Sequence, residues 1–103
     1  MLEKHNLMIE VRRNIDALKV GDLIDIRSYK RNRSVVIYRE EEDKYVLLEK
    51  GFYEQEVIGD SQQMLYTLKR SIKKEFPRSN KVRIYQHEMA NPYEISGMRR
   101  GKI

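Results

Sequence analysis

The sequence predicts an α+β fold, a mostly antiparallel sheet of about five strands with two helices packed on it, in the order α-β-β-β-β-α-β. Three observations carry this expectation. Two segments place apolar residues three or four positions apart, β-branched residues alternate with polar ones between and after them, and polar clusters mark the turns.

In the first segment Leu7, Val11, Ile15 and Leu18 fall on one side of a helix running from Glu3 to Leu18, and Gly21 stops it. Ile24 and Ile26 then alternate with Asp25, Arg27 and Tyr29 in a half-buried strand. Lys30-Arg31-Asn32-Arg33 is a polar tip before Ser34 to Arg39, whose Val35-Val36-Ile37-Tyr38 centre makes an antiparallel hairpin the short connection. After the turn Glu40-Glu41-Glu42-Asp43, two more strands span Tyr45 to Glu49 and Phe52 to Ile58, completing a four-stranded meander.

Asp60 or Ser61 can cap a second helix by accepting from free N–H groups of its first turn, with Gln63 at capping-box spacing from Asp60. Leu65, Leu68, Ile72 and Phe76 form its apolar stripe, with Met64 beside them, and Pro77 ends it. Val82 and Ile84 alternate with Lys81, Arg83 and Tyr85 in a fifth strand. Residues 1–87 thus make one domain. Residues 88–103, with Pro92, Gly97, Gly101 and few large apolar groups, read as a flexible C-terminal tail.

One hundred and three residues support one core rather than two. There is no cysteine, which excludes disulfides, thiolate metal sites and a thiol nucleophile. No apolar run reaches the roughly 20 residues of a membrane-spanning helix, and the first residues lack a secretion signal, so the expected location is the cytoplasm, without membrane partners.

The formal charge is +5, unevenly distributed. Residues 61–87 hold seven Lys and Arg against one Glu, whereas residues 39–60 hold eight acidic side chains against three basic ones. Lys69, Arg70, Lys73 and Lys74 follow one another at helical spacing, which suits a row of phosphates because bound cations release condensed counterions. Arg78, Lys81 and Arg83 extend the row, and Lys30, Arg31 and Arg33 add to it if folding brings that hairpin tip near.

The opposing explanation is a solvated helix face, with some cations drawn to the negative end of the helix dipole. A second candidate surface is the sheet face carrying Arg27, Tyr29, Arg83 and Tyr85, where rings alternate with cations. It lies on the other side of the sheet from the helix stripe, and the tail, the first helix or a second subunit would cover it.

Catalysis finds little footing. His5 sits near the start of the chain and His87 stands alone after the last strand; Glu40-Glu41-Glu42-Asp43 reads as a solubilising turn rather than a metal site; and the five glycines form no phosphate-binding loop. The expectation is a small basic, non-catalytic nucleic-acid-binding domain that contacts DNA or RNA through phosphates, with no cofactor or metal. The alternative is a protein–protein interaction or assembly module, such as a homodimer, that matches acidic against basic surfaces.

Overall fold

The computed structural model describes residues 2–28, 33–50, 54–75 and 81–96. They form β1 (Leu2–Glu3), α1 (Lys4–Ile15), β2 (Leu23–Ser28), β3 (Ser34–Glu41), β4 (Lys44–Lys50), β5 (Glu54–Gly59), α2 (Ser61–Glu75), β6 (Lys81–His87) and α3 (Pro92–Ser96). The expected order of helix, four strands, helix and strand is present, with β1 and α3 added. The strands form one sheet in the order β1-β6-β2-β3-β4-β5, and every pairing is antiparallel. The last long strand therefore lies beside β2 rather than beyond β5. Among the described residues no helix is long and apolar enough to cross a membrane.

Both long helices cover one face of the sheet. Leu7, Val11, Ile15 and Leu18 meet Met64, Leu68 and Ile72 of α2 over Ile24, Ile26, Val35, Ile37, Leu47 and Val82. The stripe predicted for α2 is the one it buries, except that Leu65 is half-buried and Phe76 lies outside the described residues. Asp60 caps α2, its Oδ1 accepting from the Gln63 N–H at 2.8 Å.

The opposite face was expected to be covered by the tail, the first helix or a second subunit, and the tail itself to be flexible. Instead Ala90, Tyr93 and Ile95 pack on Leu23, Val36, Val46 and Leu48, so residues 88–96 belong to the folded body. Asn91 caps α3, its Oδ1 accepting from the N–H groups of Tyr93 at 2.9 Å and Glu94 at 3.4 Å, and Pro92 occupies the first helical position, where its missing N–H costs nothing. A helix of five residues cannot hold itself together in water, and its stability comes from the sheet beneath it. The Met89 N–H donates to Asp22 Oδ1 at 3.1 Å and the Ala90 N–H to the Gly21 carbonyl at 3.2 Å, which ties the start of this segment to the loop before β2. Gly21 has φ +98°, a left-handed conformation that a residue with a side chain adopts only with strain, so the turn favours glycine. Residues 97–103 lie outside the described residues.

Antiparallel pairing sorts the connections between two ends of the sheet. The Glu42–Asp43 turn, Gly59, Asp60 and His87 lie at one end, because Glu41 pairs with Lys44, Tyr45 with Gly59 and Leu23 with both Tyr38 and His87. Ser28, Ser34, Lys50, Glu54 and Val82 lie at the other. Starting beside Gly59, α2 runs toward this second end, where its Ser71 reaches Glu49.

Candidate phosphate-binding face

At 100° per residue, Met64, Thr67, Leu68, Ser71 and Ile72 point α2 inward, and all five are buried. The outward arc holds Gln62, Tyr66, Lys69, Arg70 and Lys73, and all five are exposed. That arc has three cations and no carboxylate. Among the described residues no acidic group forms an ion pair with Lys69, Arg70 or Lys73. The Arg70 guanidinium lies over the Tyr66 ring, 5.9 Å from its centre, and the ring itself is 61% exposed.

The other residues proposed from sequence are scattered. Lys74 continues α2 and Lys81 opens β6, though their side chains fall outside the described atoms. Lys30, Arg31 and Arg78 lie outside the described residues. Arg33, half-buried, precedes β3 at the end of the sheet toward which α2 runs. Arg83 does not extend the helix row: Val82 and Ile84 face the helices, so alternation turns Arg83 to the α3 side.

That α3 side was the second candidate surface, and part of it is occupied. Arg27 spends its guanidinium on Asp25 Oδ2, at 2.8 Å from Nε, and on the Ile95 carbonyl oxygen. Tyr29 lies outside the described residues. Burial pushes the Asp25 carboxyl above its ordinary value, while Arg27 and His87 pull it back. Beside α3, a cleft of about 400 Å³ opens between the helix and β3, lined by Tyr38, Glu40, Val46, Met89 and Tyr93. Its single carboxylate, Glu40, lies 3.6 Å from the Lys44 ammonium.

Among the described residues the acidic segment forms no ion pair with Lys69, Arg70 or Lys73. Its turn stands at the end of the sheet where α2 begins, with Lys44 between Glu40 and Glu41 at 3.6 and 3.7 Å. Glu56 opposes Leu48 on the α3 side, where the Tyr93 hydroxyl donates to it at 3.0 Å, and Glu54 follows the same alternation. Glu49 is buried beneath α2, accepting from Ser71 Oγ at 2.6 Å and Gln55 Nε2 at 3.2 Å. Those carboxylates are spent in the turn, on the far face or inside.

Two features escaped the sequence reading. Tyr66 sits three residues before Lys69 and four before Arg70, a spacing that already places it on their arc. Arg12 and Arg13 in the last turn of α1 are exposed in the same helical layer, again without a carboxylate partner among the described residues. A window that counts net charge passes over both, since α1 also carries Glu10 and a tyrosine carries no charge. Among the described residues no three His, Asp or Glu side chains come close enough together to hold a metal ion. Comparison of the chain with protein-family models, curated proteins and solved structures returned no match.

Proposed function

We propose that this protein is a non-catalytic nucleic-acid-binding domain that holds backbone phosphates on the outward face of α2, with little base selectivity. The observation that carries the proposal is the exposed row Lys69, Arg70 and Lys73 with no internal counter-charge among the described residues. Like charges at i,i+4 repel by a few tenths of a kcal/mol, and a purely solvated face gains nothing in return. The helix dipole accounts for cations in the last turn only. Lys69 and Arg70 stand more than a turn before Glu75, so it does not explain them. An external polyanion does, because each phosphate neutralised releases condensed counterions.

Charge reversal tests this. In fluorescence anisotropy with labelled oligonucleotides at low salt, the wild-type chain is expected to bind and K69E/R70E/K73E to lose detectable binding. The three side chains are exposed and form no ion pair among the described residues, so the change in folding stability should stay within about 0.5 kcal/mol and can be checked by thermal melting. Unchanged affinity in the triple variant would defeat the proposal.

A second reading follows from the distance between the acidic turn and the basic row, since a second copy could bring its Glu40–Asp43 turn against α2. Light scattering separates the two. A salt-sensitive dimer that K69E/R70E/K73E dissolves, without any affinity for nucleic acid, favours assembly; a monomer that binds the oligonucleotide favours the first reading.

A further inference from the structure

We infer that the α2 face selects single strands over duplexes, because Tyr66 offers an unpaired base a ring to stack on. The inference rests on the phosphate-binding reading of α2 and adds the class of nucleic acid. Among the described residues Tyr66 is one of five large apolar side chains left in solvent, with Ile9, Val20, Ile58 and Met89, and it belongs to neither buried cluster. At a solvated helix position Tyr is a poorer helix former than Lys, Arg or Gln by a few tenths of a kcal/mol. Its ring therefore contributes little to the fold that a charged residue would not.

Its surroundings suit a nucleotide. The Arg70 guanidinium lies 5.9 Å from the ring centre, within reach of a cation–π contact that favours this placement of the phenol. Gln62, exposed one turn earlier, adds an amide with both donors and an acceptor. From Tyr66 to Lys73 the helix rises about 10 Å, so ring and cations reach neighbouring positions of one strand. A duplex presents phosphates to the cations but keeps its bases stacked on one another, leaving the ring against the sugar–phosphate backbone. An unpaired base has a free π-face, and stacking on an aromatic side chain contributes about 1 to 3 kcal/mol per base.

The test compares Y66A, Y66F and the wild-type chain on a labelled single strand and on the duplex of the same sequence, at one salt concentration. The expected result is a preference of the wild-type chain for the single strand. Y66A should weaken that binding roughly 5- to 150-fold and leave the duplex affinity unchanged, whereas Y66F, which keeps the ring, stays near wild type. Alanine at an exposed helix position keeps the fold. Equal losses on both nucleic acids, or no loss on the single strand, would overturn the inference. If Y66A has no effect while K69E/R70E/K73E still abolishes binding, only the stacking role fails; if the triple variant also binds normally, the phosphate-binding reading fails with it.

Discussion

Replacing Arg27 with alanine is expected to cost about 3 kcal/mol of folding free energy at neutral pH, among the largest effects any single substitution in this chain should have. Arg27 joins two elements. Its guanidinium meets Asp25, a carboxylate only 3% exposed, and also donates to the Ile95 carbonyl of α3. Removing it leaves the buried carboxylate with no guanidinium against it, and breaking a buried pair from one side costs roughly 3 to 5 kcal/mol. A quarter of the Arg27 side chain is exposed, which places the expectation at the lower end.

The sign of the pH dependence is fixed as well. Burial already raises the folded-state pKa of Asp25 above 3.8 against the opposing pull of Arg27 and His87, and without Arg27 it rises further. For an acid with a raised folded pKa, the stabilising contribution is full below the unfolded value and is lost as pH rises through the folded one. The R27A deficit should thus be greatest at neutral pH and shrink on acidification, and D25N in the R27A background should recover part of it. Urea denaturation at neutral and mildly acidic pH reads both; an R27A variant as stable as wild type at neutral pH would refute this account of how α3 is anchored.

Truncating Leu47 to alanine should have a comparable effect from a different cause. Leu47 is fully buried on β4, paired across the sheet with Ile37 and Val57, and lies in the cluster beneath α1 and α2. Deleting its side chain removes transfer free energy and leaves a cavity that the sheet backbone cannot close, for about 2 to 5 kcal/mol. At 3 kcal/mol the melting temperature of a domain of this size drops by roughly 12 to 24 °C. Unlike R27A, the loss should not vary between neutral and mildly acidic pH. A shift of only a few degrees in calorimetry would mean that the core is not packed as described.

The parts of the fold that local chemistry decides were legible in the sequence. Leu7, Val11 and Ile15 announce α1 by spacing alone, although the helix spans Lys4–Ile15 and stops short of the expected Leu18; Asp60 and Gln63 announce the start of α2, and the alternation around Ile24, Ile26, Val82 and Ile84 assigns their faces. The parts decided by distant contacts were not. The place of β6 beside β2 depends on where α2 delivers the chain, and β1 exists only because Leu2 and Glu3 meet Val82 and Lys81.

Likewise α3 is too short to show a period, although Asn91 and Pro92 are a cap and a first helical residue in plain view. At the candidate site the charge run on α2 was legible, and so in principle was Tyr66. Arg83 could have been separated from the row by its own alternation with Val82 and Ile84. That the acidic turn lies where α2 begins, away from Lys73, required the register of the whole sheet.

The most direct measurement of the central claim is a salt titration of nucleic-acid affinity. With three phosphates held by Lys69, Arg70 and Lys73, the logarithm of the association constant on duplex DNA should fall against the logarithm of salt concentration with a slope of roughly −2.7. In K69E/R70E/K73E, whatever residual binding can be measured should show a slope near zero. A flat line for the wild-type chain, or an equally steep one for the triple variant, would contradict a phosphate-binding role for α2.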